Sequence, residues 1–180
     1  MSVGLKRGTV KIVAYDHNWV TYFDEKKKTL LELLAGDNLV SIEHVGSTSI
    51  PALSAKPVVD ILVIVKNLGK AKEWIPKLEA LGYHYKKEND IQRLFFTEGH
   101  ESKRTVHLHV SQKGSEYANE ILIFKDYLLK NPSAVHEYEL LKTKLSSVYA
   151  DNRGAYTKAK KAFVDKIIKS TKSGKNWGNQ

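Results

Sequence analysis

Apolar positions along this chain recur with two periods, and the alternation between them outlines a fold. Trp19, Tyr22, Phe23, Leu30, Leu33 and Leu34 fall at helical spacing. Asp16 or Asn18 is placed to cap that helix and Gly36 to stop it. Lys26, Lys27 and Lys28 fall on its wet side. Leu39 to Val45 reads as a strand, and "GSTSIPALSAKP" as a loop with a short helix. Val58 to Val65 is a second strand, and its nearly continuous apolar run predicts burial on both faces. Ala71, Trp74, Ile75, Leu78 and Leu81 predict an amphipathic helix ending near Gly82. Tyr83 to Tyr85 and Ile91 to Thr97 read as a hairpin joined by "KKEND", and Thr105 to Val110 as a further strand.

The remainder is helical. Ala118, Ile121, Leu122, Leu128 and Leu129 form one stripe. Asn131-Pro132 breaks it, with the proline at the tolerated first position of the next helix. Val135, Tyr138, Leu141, Leu145, Val148 and Tyr149 stripe that helix; Ala155, Ala159, Ala162, Phe163 and Ile167 stripe the last. No repeat or linker divides the chain. The pattern predicts one α+β domain over residues 1–170: an N-terminal helix, a mixed sheet and a helical C-terminal part. Residues 171–180 read as a disordered tail.

Composition narrows the chemistry. With 180 residues, 42% hydrophobic and 27% charged, the chain can bury an ordinary core. It has no cysteine, which excludes disulfides, cysteine nucleophiles and thiolate metal sites. "MSVGLKRGTV" lacks the apolar segment of a signal peptide, and no apolar run approaches a membrane span. A soluble, cytoplasmic protein is expected. The net charge of +9 fits either a solubilising lysine coat or a polyanionic ligand. Arginine is confined to Arg7, Arg93, Arg104 and Arg153. That scarcity disfavours sequence-specific nucleic-acid binding, which leans on bidentate guanidinium contacts.

Three elements carry candidate chemistry. Gly46-Ser47-Thr48 directly follows a strand. Such a turn can bring a ligand close to the backbone and offer amides and hydroxyls to an anion, or it can be an ordinary serine-capped turn. Asp60 interrupts an apolar strand, where a carboxylate needs a hydrogen bond, a counter-charge or a metal. His107 and His109 lie two apart on one strand and so share a face. With a carboxylate nearby they form a candidate divalent-metal site; otherwise they are half-exposed surface imidazoles. Lys56 reads as a loop lysine in water or as a neutraliser of phosphate charge, and His44 is a weaker candidate.

"EHVGSTSIPALSAKPVVDILVIV", "HLHV", "FKDYLLKNP" and "YTKAKKAFV" together resemble the GrpB family, over residues 10 to about 168. The resemblance implies a nucleotidyltransferase-like fold and a nucleotide or other phosphate-bearing ligand. It also implies a link to coenzyme A, since GrpB-like domains occur fused to dephospho-CoA kinase. In that superfamily a glycine-serine turn holds phosphates. Two acids two residues apart, with a third from a later strand, hold two magnesium ions. By that resemblance Gly46, Ser47, Thr48 and Lys56 bind the nucleotide, and Asp60, His107 and His109 are the catalytic and metal residues. Leu62 stands at the second acid and a histidine at the third. One aspartate with two histidines suits manganese or zinc better than magnesium. Lys125 takes a place often held by arginine in the family.

Overall fold

The computed structural model of the chain describes residues 3–87 and 92–174. Five strands form one sheet: β1 (Leu39–Val45), β2 (Val59–Val65), β3 (Tyr83–Lys86), β4 (Arg93–Glu98) and β5 (Val106–Gln112). Their order is β1-β2-β5-β4-β3. β2 and β5 run parallel, and the other neighbours are antiparallel. The sheet is therefore mixed, as the sequence predicts.

Each face of the sheet has its own helices. Val59, Ile61, Val63 and Val65 of β2 are buried with Trp19, Phe23, Leu30 and Leu34 of helix α1 (Asn18–Leu34). Leu62 and Ile64 point the other way, into a smaller cluster with Ala118 of α3 (Glu116–Lys130). Helices α4 (Pro132–Val148) and α5 (Arg153–Lys172) complete the second layer. There Leu128, Ala134 and Tyr138 pack on Ile50 and Leu53 of the loop between β1 and β2. Burial of each Val, Leu, Ile or Phe among them contributes about 1.5–3 kcal/mol, so both layers are firmly held.

The helix expected over Ala71 to Leu81 is broken in two. A 3-10 turn spans Lys70–Trp74 and only Ile75–Ala80, α2, is α-helical. Pro76 is the cause: it has no N–H to donate and its ring crowds the carbonyl four residues back. The hairpin pairing of β3 with β4 is present, although residues 88–91 of its connection lie outside the described set. At the C-terminus α5 continues through Thr171 and Lys172, two residues into the segment expected to be a tail; residues 175–180 lie outside the described set. Among the described residues no helix is long and apolar enough to cross a membrane.

Candidate functional site

Asp60 begins the β2 row that faces the C-terminal helices. Its neighbours along that row, Leu62 and Ile64, are covered by α3, but the cover ends before Asp60. Parallel pairing sets His107 beside Asp60 and His109 beside Leu62, so all three side chains share one face. The sequence expectation of proximity is met: Asp60 Oδ1 lies 2.9 Å from His107 Nδ1 and 3.9 Å from His109 Nε2. Burial works against the Asp60 charge, but His107 and His109 outweigh it and hold the carboxyl well below its ordinary range. Burial pushes the His109 pKa down, against the pull of Asp60, and Arg93 pushes it further down.

The outer nitrogens of both imidazoles meet guanidinium groups. Arg153 Nη2 stands 3.2 Å from His107 Nε2, and Arg93 Nη1 stands 3.0 Å from His109 Nδ1. Arg93 is sandwiched between the rings of Phe95 and Tyr117, and the Tyr117 hydroxyl lies 2.8 Å from His109 Nδ1. Two of the chain's four arginines are thus spent on this one site.

The turn before the strand closes against it. Gly46 has φ +70°, and a Cβ there would stand 2.4 Å from Asp60 Oδ2. The glycine is therefore required by Asp60 as well as by the turn. Ser47 lies beside the Tyr138 phenol, whose pKa burial pushes up to about 12 against the pull of Ser47. Thr48 differs from expectation. It is buried, and its hydroxyl is 2.9 Å from His44 Nε2, so it is already partnered rather than offered to a ligand. His44 is on the α1 face, stacked on Phe23, and takes no part in the Asp60 cluster.

These groups line a cavity of about 510 Å³ between the sheet and α3, α4 and α5. Six cationic side chains enter it: Lys56, Arg93, Lys125, Lys142, Arg153 and Lys160. Its carboxylates are Asp60, engaged by His107, and Glu120, whose Oε1 is 2.9 Å from Lys172. Lys56 is half-buried rather than a solvated loop lysine, and its ammonium sits over the Tyr156 ring. Burial, then Arg153, push its pKa down to about 8. Lys160, on the same ring, is pushed down to about 8 by burial and Lys56. Lys142 is only 1% exposed, donates to the Ser54 carbonyl and is pushed down to about 7, chiefly by burial. Lys125 reaches Glu43 at 3.9 Å.

Sequence reasoning missed Lys142, Lys160, Arg93, Arg153, Tyr117, Tyr138 and Tyr156 as site residues. Two signals were available. Lys142 sits one turn after Tyr138, inside an apolar stripe, and half of the scarce arginines lie here.

The donor set does not fit a pair of divalent ions. Leu62 offers no ligand, Asp60 is committed to His107, and the outer imidazole nitrogens face guanidinium groups. Among the described residues no group of three His, Asp or Glu side chains is arranged to hold a metal.

The strand order, the turn before β2 and the helical layer define a nucleotidyltransferase-like fold. Crystal structures of the Cid1 poly(U) polymerase share it: one superposes with a TM-score of 0.53 at 12% identity, covering 76% of this chain and 44% of that one. The GrpB protein family model matches residues 9–170, and the chain belongs to that family. It is 36% identical to the glutamate-rich protein GrpB of Alkalihalophilus pseudofirmus, covering 92% of this chain and 98% of that protein. It is 34% identical to the UPF0157 protein YqkA of Bacillus subtilis over 94% of this chain, which spans half the length of YqkA. The crystal structure of GrpB from Enterococcus faecalis superposes with a TM-score of 0.83 at 34% identity, covering 91% and 98% of the two chains. A dephospho-CoA kinase of Mycobacterium bovis is 26% identical over 77% of this chain and 40% of its own length.

Proposed function

We propose that the cavity binds a nucleotide-like compound by its phosphates. The carrying observation is the charge of the lining: six cations against two carboxylates that are both already engaged. A pocket with that imbalance attracts a multiply charged anion. Phosphate oxygens suit the Gly46-Ser47 turn, Lys56, Arg153 and Lys160. Ile121, Phe124, Leu128 and Val164 give an apolar wall for a base or a pantetheine-like arm. The dephospho-CoA kinase relative and the MgATP-bound Cid1 structure support the same ligand class.

Calorimetry with ATP, UTP and dephospho-CoA tests the reading. Lys160→Met and Arg153→Met should each weaken binding about 10-fold or more, which is about 1.4 kcal/mol. Lys28→Met, on the exposed side of α1, should leave it unchanged. Absence of binding, or equal affinity in all three variants, overturns the proposal.

A second reading, nucleotidyl transfer, is favoured by the Asp60–His107 pair inside this cavity. With Arg153 drawn from His107 Nε2 onto the phosphates of a nucleoside triphosphate, an acceptor hydroxyl would form the new P–O bond to the α-phosphorus, the bond to pyrophosphate would break, and the hydroxyl proton would pass to the freed His107 Nε2. Pyrophosphate release with candidate alcohols, abolished by His107→Gln, is the readout for this reading.

A further inference from the structure

We propose that Lys56, Lys142, Arg153 and Lys160 stand in for a divalent ion, so that the cavity takes the free polyphosphate anion rather than its magnesium complex. This rests on the phosphate-binding reading above and assigns the ionic form of the ligand.

The four cations converge from three separate elements. Lys56 lies in the loop before β2, Lys142 on α4, and Arg153 and Lys160 on α5. Lys56 and Lys160 both place their ammonium over the ring of Tyr156, at 5.6 and 4.5 Å from its centre. Lys142 stands over the Tyr138 ring at 4.9 Å. Among the described residues none of these three lysines forms an ion pair. Like charges held together inside a protein cost free energy unless an opposite charge arrives. Burial first, and the neighbouring cations after it, depress the protonation of all three lysines.

Magnitudes separate a bare phosphate from a metal complex. Opposite charges in contact attract strongly at the effective dielectric of a protein surface, and like charges repel as strongly. A phosphate oxygen gains such terms from several cations here. A dication brought in with it meets the same cations with the opposite sign. It also finds only two lining carboxylates, Asp60 bound to His107 and Glu120 bound to Lys172, where magnesium wants several oxygens. Ring faces and the Ser54 carbonyl hold the lysines in place.

The test is calorimetry of ATP and of inorganic tripolyphosphate, each with EDTA and with excess magnesium chloride. Both anions should bind in EDTA, and magnesium should weaken them about 10-fold or more. Asp60→Asn gives a second, independent sign: removing a carboxylate should tighten the free anion, whereas loss of a metal ligand would weaken binding in magnesium. Lys160→Arg should retain binding and Lys56→Met/Lys160→Met lose it. Equal or tighter binding with magnesium overturns the inference and leaves the phosphate-binding reading standing. Absence of binding under both conditions overturns both.

Discussion

Gly46 and Asp60 are fitted so closely that a methyl group on the glycine would stand 2.4 Å from the aspartate Oδ2 and 3.0 Å from its Cβ. The turn and the strand are therefore one unit. Gly46→Ala must move Asp60 or itself, and it also places a side chain at positive φ. The expected cost is about 2–4 kcal/mol, from strain plus overcrowding. In an Asp60→Ala background the Oδ2 clash is gone, so the same substitution should cost less. Denaturant titration of the four-variant cycle checks this, and additive costs would contradict the fit.

Asp60 should also leave a mark on acid stability. Its folded pKa lies below the ordinary 3.8, so the carboxylate's contribution is complete above that pH and lost as pH falls below it. Asp60→Asn should lower stability at neutral pH and flatten the acid limb of the stability curve. Urea midpoints at a series of pH values below 5 are the measurement.

His44 carries a second pH dependence, on the opposite face of the sheet. Burial between Phe23 and Thr48 pushes its pKa down to about 4 from 6.5. The unfolded chain therefore binds the extra proton first. Stability should be full above pH 6.5 and decline as pH falls toward 4, by at most about 1.4 kcal/mol per unit. His44→Gln, which does not titrate, should remove that slope. An imidazole NMR titration with a midpoint near 6.5 would contradict the assignment.

Lys142 sets ligand binding against stability. Its folded pKa of about 7 lies far below 10.5, so its contribution is full above pH 10.5 and declines as pH falls toward 7. Lys142→Met should raise neutral-pH stability by on the order of 1–2 kcal/mol, after loss of the Ser54 bond. The same variant should weaken polyphosphate binding. A lower melting temperature would show that the hydrogen bond outweighs the buried charge.

Much of this was legible in the chain, for physical reasons that differ by element. β2 is conspicuous because six of its seven residues are buried and apolar, which leaves a nearly unbroken apolar run. Asp60 was conspicuous against that background. His107 and His109 were readable because strand alternation fixes their face regardless of tertiary detail. The break before α2 was readable from Pro76 and was overridden by the apolar periodicity. The cationic wall was not legible in the same way. Lys142, Arg153 and Lys160 lie on α4 and α5, and which side of those helices meets the sheet depends on packing rather than on local pattern. Thr48 misled because a turn hydroxyl looks available until its partner, four residues earlier, is seen.

The parallel pairing of β2 with β5 has a kinetic consequence. Asp60 and His107 are 47 residues apart, and α2 and the β3–β4 hairpin lie between their strands in sequence, so a long crossover must close before they meet. The cavity needs still more distant partners, from Gly46 to Lys160. Non-local closure of this kind is slow and comes late. No fragment ending before α5 holds the complete cationic wall, so ligand affinity should emerge only in the last stage of folding. Once bound, a polyanion would tie the sheet to the C-terminal helices and slow their separation, and amide exchange in α4 and α5 would report that clamp before any change appeared in α1.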